Sequence, residues 1–476
     1  MKKLFLFAVA AALSMTINAQ PGGQGGSGGP GGQSSGGSSS YTFTASSTGL
    51  EVSNTTKSVN GQTYSSTGSD ENAVLVRNAG TATITDCTVT KTGDTSQSDL
   101  DVTSFYGINS AVLVKGTGTT ATISGGTITT AAKGANAIVC TDTATLTVKN
   151  VTINCSSQVS RGIHCTYQGT IYAYNCDVTT QQATSSAIAT DRGGGTVYVD
   201  GGSYVANGNK CAIVYSTGYM EVKNATGSSN NTEESEICDI EGDNTVVIDN
   251  CTFSCAGAKR GVMLYQSGSG DASGYNPTLY LSNSTLTLEN SSAPFCEVST
   301  AVNAYLTIDN CTLNIPSGQL AYIDTNSGWN NSNTKYLQLT LKNGNYTGTV
   351  DADETGTMKV IVESTATWTG SIDNDAVVST GDTVVVSGTW ILSENSTPQV
   401  LIINEGGTVY TNGYTLTYSS LTNNGTLDTT STGVSGIDAV SAAVSDDAKT
   451  YNLAGQRVMS DSKGLLIRNG KKYIAR

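Results

Sequence analysis

The feature that most constrains this chain is a repeat of about 25 residues that lays down the same short apolar strand many times over. It reads Ala111-Val-Leu-Val, Ala137-Ile-Val-Cys, Gly162-Ile-His-Cys, Ala187-Ile-Ala-Thr, Ala212-Ile-Val-Tyr, Ile237-Cys-Asp-Ile and Val262-Met-Leu-Tyr, at a step of 26 and then 25 residues. Further copies are Ala73-Val-Leu-Val, Phe295-Cys-Glu-Val and Leu320-Ala-Tyr-Ile, with extra residues at Lys91 to Tyr106, Gly268 to Asn276 and Asn326 to Thr334 expected as loops on one rim. A second strand in each repeat ends on Asp86, Gly125, Asn150, Asn175, Gly201, Asn224, Asn250, Asn283, Asn310 or Asn343. Only Gly, Asn and Asp occupy this position, and these tolerate a left-handed backbone. A turn there in every repeat, with strands of period two on either side, specifies a parallel β-helix and not a helical solenoid. Asparagines stacked at the corner can hydrogen-bond along the axis. Roughly 13 coils at about 4.8 Å each make a rod of about 60 Å.

The alternation sorts inside from outside. In the first strand Ile138 and Cys140, Ile163 and Cys165, Ile188 and Thr190, and Ile213 and Tyr215 are placed inward, so His164, Asp239 and Glu297 face out. After the corner the next inward position is Cys87, Cys176, Cys251 or Cys311 in some coils and Gly, Ala, Ser or Val in others. Cysteine here reads as a small buried hydrophobe. The count of 11 is odd, so at least one is unpaired within the chain; Cys140 and Cys165, at one position of adjacent coils, are the best disulfide candidate. None of them has the CxxC spacing of a zinc site. The later segments Val360-Ile-Val, Val384-Val-Val, Leu401-Ile-Ile and Leu416-Thr-Tyr keep the alternation and lose the 25-residue register.

Four sections follow from composition. Residues 1–19 read as a secretory signal peptide, with Lys2 and Lys3 ahead of the apolar run Leu4 to Leu13. Residues 20–40, nearly all Gly, Ser, Gln and Pro, read as a flexible linker. The solenoid spans 41–432, and 433–476 form a separate tail that regains Lys and Arg. No stretch is long enough for a transmembrane helix. Without Lys2 and Lys3 the chain holds 22 basic against 38 acidic residues, which argues against nucleic acid and anionic membranes as partners. A monomeric rod, secreted or on the outer cell surface, is expected.

The coils and the Asn corner resemble those of secreted right-handed parallel β-helix proteins, the pectate-lyase-like superfamily. Segments Glu71-Asn-Ala-Val-Leu-Val, Ala187-Ile-Ala-Thr-Asp-Arg-Gly, Gly261-Val-Met-Leu-Tyr-Gln-Ser and Ser269-Gly-Asp-Ala look like a bacterial branch described as adhesin-like or carbohydrate-binding. The tail pieces Gly436-Ile-Asp-Ala-Val, Tyr451-Asn-Leu-Ala-Gly-Gln-Arg-Val, Lys463-Gly-Leu-Leu-Ile and Asn469-Gly-Lys-Lys resemble C-terminal sorting domains of Bacteroidota proteins that leave through type IX secretion. The resemblances imply an all-β, right-handed parallel β-helix followed by a small C-terminal β domain that directs surface attachment. The other reading of the tail is a cap for the solenoid.

Chemistry-bearing residues are few. His164 is the only histidine, and no G-x-S-x-G elbow accompanies it. The polar residues that fall together are Arg161, His164, Asp191, Arg192, Glu241, Arg260, Tyr265 and Asp271; three of the four arginines of the solenoid body are among them. They form a candidate groove for a glycan or another host or cell-surface ligand, with Arg pairing carboxylates and Tyr or His stacking on rings. The bland alternative is that they pair with one another. A polysaccharide lyase or glycoside hydrolase acting on an acidic polysaccharide is the catalytic alternative; a lyase would want an Arg or Lys base and often Ca²⁺. The acidic residues are dispersed, so no catalytic residue, metal ligand or resident cofactor is assigned. Outward Thr rows (Thr88, Thr90, Thr127, Thr129, Thr285, Thr287) resemble an ice-binding face, although Asp177 and Val205 interrupt them. The reading is a non-catalytic, glycan-binding adhesin, with the lyase and a purely structural surface rod as alternatives.

Overall fold

A computed structural model of the chain describes residues 43–300, 303–324, 335–352, 356–373, 381–434, 450–452, 457–458, 464–468 and 471–475. The segments read as a signal peptide (1–19) and a linker (20–40), and the inserted segment Asn326 to Thr334, lie outside the described residues. The chain winds into a parallel β-helix of about 13 turns with about 25 residues per turn. A 12-stranded sheet, from Ser47–Ser53 to Thr349–Ala352, makes the first face. The strands before and after the Asn corner join in a 23-stranded sheet bent along that corner. In the last turns the strands after the corner form a separate five-stranded sheet, Gly344–Thr347 to Thr426–Asp428. The tail strands Thr450–Asn452, Arg457–Val458, Gly464–Arg468 and Lys471–Ala475 pair antiparallel in a small sheet of their own.

The corner residues adopt the backbone their identity allows. Asn150, Asn175, Asn224, Asn250, Asn283, Asn310 and Asn343 have φ between 46° and 55°. Gly125 (φ 66°) and Gly201 (φ 78°) meet the same backbone demand with no side chain. The ladder is only partly asparagine to asparagine. Asn250 Nδ2 donates to Asn224 Oδ1 at 2.7 Å and Asn310 to Asn283 at 2.8 Å. Asn224, Asn283 and Asn343 donate instead to Asp200, Asp249 and Asp309 at 2.6–2.8 Å. Each of these carboxylates sits just before a corner and accepts the donor from the next turn.

One apolar core runs the length of the rod, from Leu50 to Val409. All 11 cysteines are buried and free. Cys140 and Cys165 are register partners, but their thiols face carbonyls, of Ala144 (3.2 Å) and Thr196 (3.8 Å). Burial pushes the Cys165, Cys238 and Cys296 thiols up, so none is a ready thiolate.

Three sequence assignments change. Ile188 pairs with Val214 and Ala189 with Tyr215, so Tyr215 points outward and Val214 fills the core in its place. The uniform step of 25 is locally uneven: the turn from Ile188 to Val214 takes 26 residues, and the next two, to Cys238 and Val262, take 24 each. At the far end Leu401 pairs with Leu421, not Leu416. There the turns shorten, and Trp368 stacks on Trp390 inside the rod with centroids 5.1 Å apart. Their indole N–H groups donate to the carbonyls of Gly348 (2.9 Å) and Gly370 (3.1 Å), which satisfies the only polar atom of each ring.

Asn250→Ala should destabilise the rod by about 1–2 kcal/mol in urea unfolding, the cost of a left-handed backbone with a Cβ plus a lost hydrogen bond. Asn250→Gly, which restores the backbone freedom, should recover part of that loss. Equal losses for the two variants would mean that the corner conformation contributes nothing.

Candidate functional site

The outward column of the first sheet runs His164, Ala189, Tyr215, Asp239, Met263, Glu297 in adjacent turns. These side chains do point away from the core, yet His164 is 0% and Asp239 4% exposed. These outward positions are covered because the first two inserted segments are not rim loops. The first carries a helix, Leu100–Tyr106, capped by the Asp99 carboxylate at its start and by left-handed Gly107 at its end. The helix lies on the sheet. Ser104 Oγ accepts from Asn136 (2.9 Å) and Arg161 (2.6 Å), and the Phe105 carbonyl accepts from Thr166 (2.8 Å). Gly107 packs so closely that a Cβ would stand 2.8 Å from Leu113 and Val139. The second insertion brings Asp271 to Arg192, whose Nε and Nη2 donate to Oδ1 at 3.0 and 2.8 Å. The Arg192 guanidinium also lies 4.6 Å from the centre of the Phe105 ring. Arg192 thus ties the two insertions together over the face.

Beneath them, Arg161 meets Asp191 at 3.0 Å. Asn136 Nδ2 donates to His164 Nδ1 (2.7 Å), which assigns the imidazole proton to Nε2, 3.6 Å from Asp191 Oδ2. Burial, and then Arg161, push His164 down to about 4, so the ring is neutral. Arg161 holds Asp191 low against its own burial, while burial lifts Asp101 to about 6. Glu241 accepts from Ser267 and, at 3.4 Å, from the Tyr215 hydroxyl; burial pushes it up to about 7. Tyr265 packs with Ala189, Ala212, Tyr215 and Met263.

Arg260 belongs to a different group. It reaches Glu234 (3.3 Å), Glu297 (3.4 Å) and Glu236 (3.8 Å), and Lys259 also pairs with Glu234 at 2.8 Å. Burial raises Glu236 and Asp239, so these two acids are favoured in their neutral form beside the charged pairs.

The eight sequence candidates therefore separate into an Arg161–His164–Asp191 contact, an Arg192–Asp271 bridge, Glu241 under the second insertion, Tyr265 in an aromatic pack, and Arg260 among glutamates. Of the eight, only Arg192 keeps a substantial exposed side chain, at 33%. No hydroxyl hydrogen-bonds to His164, so the nucleophile–base contact of a hydrolase is missing among the described residues. Among these residues, too, no cluster of His, Cys, Asp or Glu is arranged to hold a metal ion, and no helix is long and apolar enough to cross a membrane. Sequence reasoning missed Asp101, Ser104, Asn136 and Glu236. The first two were signalled by an Asp99 cap and a Gly107 stop inside otherwise β-patterned sequence. Glu236 was signalled by its register beside Arg260. No protein-family model matches the chain, and no curated protein is detectably similar to it.

Arg161→Ala should cost about 3–5 kcal/mol in unfolding free energy, because it strands the buried Asp191 carboxylate; Arg161→Ala with Asp191→Asn should cost less than the single change. A loss below about 1 kcal/mol for the single variant would mean the pair is solvated.

Stability should also depend on pH. Asp101, Glu236, Asp239 and Glu241 have raised folded-state values, so their contribution is full below the ordinary carboxyl range, near pH 4, and is lost as pH rises. His164, depressed to about 4, contributes fully above about 6.5 and loses that contribution as pH falls. The carboxyls outnumber the imidazole, so unfolding free energy should fall from about pH 5 to about pH 7.5. Glu241→Gln should flatten that slope in denaturant titrations, and a slope of the opposite sign would contradict the burial of these acids.

Proposed function

We propose that this protein is an exported, non-catalytic β-helix adhesin of the cell surface that binds glycans. The observation that carries the reading is the contrast between its two outer faces. The first face holds the single histidine, His164, and the buried acids Asp101, Asp191, Glu236, Asp239 and Glu241, and two insertions cover its middle turns. The face before the Asn corner is open and displays tyrosine and threonine in regular columns, with Tyr174, Tyr219, Tyr280 and Tyr305 exposed. A catalyst needs its acid and base within reach of substrate; a binding surface needs only exposed contact groups. Export rests on the basic and apolar run of residues 1–19, and surface attachment on the tail motifs.

The mature chain should be tested on a glycan array and incubated with pectin, alginate and glycosaminoglycans, with and without Ca²⁺, while unsaturated products are followed by absorbance. Glycan binding without product formation is the expected result. Product formation would replace the reading with a lyase, and silence in both assays would leave a structural rod.

A further inference from the structure

Resting on the glycan-binding reading, we propose that the ligand is an uncharged polysaccharide chain and that it lies along the rod axis on a tyrosine stripe of the face before the corner. Tyr172, Tyr198, Tyr219, Tyr280 and Tyr305 stand in two neighbouring outward columns over successive turns, with one turn bearing Thr245 and Val247 between Tyr219 and Tyr280. Five steps of about 4.8 Å give the stripe a length of about 24 Å, enough for several sugar units end to end. Tyr172 and Tyr198 stack on each other at 5.1 Å, and Tyr219 tilts by 58° against Tyr198. Tyr219, Tyr280 and Tyr305 are 36%, 47% and 38% exposed. Among the described residues seven large hydrophobic side chains are exposed, and four of them lie on this one face, so the exposure is not scattered over the rod.

The chemistry of the stripe selects the partner. From Thr145 to Thr307 its two columns hold only Thr and Tyr, apart from Val247 and Glu221. Glu221 is paired with Lys223 and accepts from the Tyr219 hydroxyl at 3.2 Å. No cationic side chain in the columns can recruit a polyanion, and the chain as a whole carries a net charge of −14. Rings flanked by hydroxyls suit a ligand with apolar C–H faces and hydroxyl edges. Tyrosine gives such a contact a rigid, amphipathic surface at low entropy cost. A second copy of the chain fits less well, because single tyrosines spaced by threonines do not make the continuous apolar patch of a stable dimer.

The test is affinity electrophoresis of the mature chain in native gels containing mixed-linkage β-glucan or galactomannan, against gels containing polygalacturonate or alginate. We expect retardation in a neutral gel and not in the acidic ones. The triple variant Tyr219→Ala, Tyr280→Ala, Tyr305→Ala should bind at least 10-fold more weakly. The control pair Tyr275→Ala, Tyr414→Ala, exposed elsewhere, should bind as the parent does. The three single variants and thermal melts separate lost binding from lost folding, and sedimentation velocity should show a monomer throughout. Retention by the polyanions alone, undiminished binding by the triple variant, or a dimer that the triple variant dissolves would each overturn the stripe. If the parent is retarded in no gel, the glycan reading itself falls; if it binds and the triple variant binds equally well, only the location falls.

Discussion

No single turn of this chain can hide its own apolar residues. A turn is one strand thick, and the side chains it points inward are covered only when another turn lies above and another below. Everything else in the structure follows from that dependence on neighbours. The inward positions must repeat at one register, so the core is a stack of Ile, Val, Leu and Cys columns running from Leu50 to Val409. The corner must bend by the same amount in each turn, so its residues share one left-handed backbone, whether glycine or an asparagine that reaches an asparagine or an aspartate next door.

Outward positions are free of that constraint, and there the two main faces part company. The strands before the corner stay open to solvent and carry threonine and tyrosine. The first face is roofed by a helix and a loop, so it is buried on both sides in the manner usual for parallel sheets. The roof explains why its outward column contains Leu75, Leu113, Val139 and Met263, which would be out of place in water. It also explains why the charged residues of that column come with partners close at hand: an isolated charge there would lose its hydration and gain nothing in return.

Much of this was legible in the residues alone. The repeat, the corner and the inward cysteines all depend on local alternation and on backbone preferences of single residues, so a sequence carries them openly. The clustering of Arg161, His164 and Asp191 was legible too, because register in a solenoid converts directly into proximity. Two things were hidden. Tyr215 was placed inward because a step of 25 was carried through a turn that is one residue longer, and with a period of two such a slip puts Val214 at the inward position and turns Tyr215 out, while Ile213 stays in the core. The burial of His164 and Asp239 was hidden because the roof comes from segments outside the repeat. Where Lys91 to Tyr106 lands is a matter of tertiary packing, and nothing in the alternation of the sheet reports it.

That roof has a mechanical meaning. In an ideal solenoid each turn answers only to the next, so the rod can peel from either end one turn at a time. The helix Leu100–Tyr106 breaks this rule, since it is fastened to Asn136 on one turn, to Arg161 and Thr166 on the next and, through Arg192 and Asp271, to an insertion farther along. The turns it spans must loosen together or not at all. Under tension along its axis, the molecule would behave as two fraying ends joined by a riveted middle.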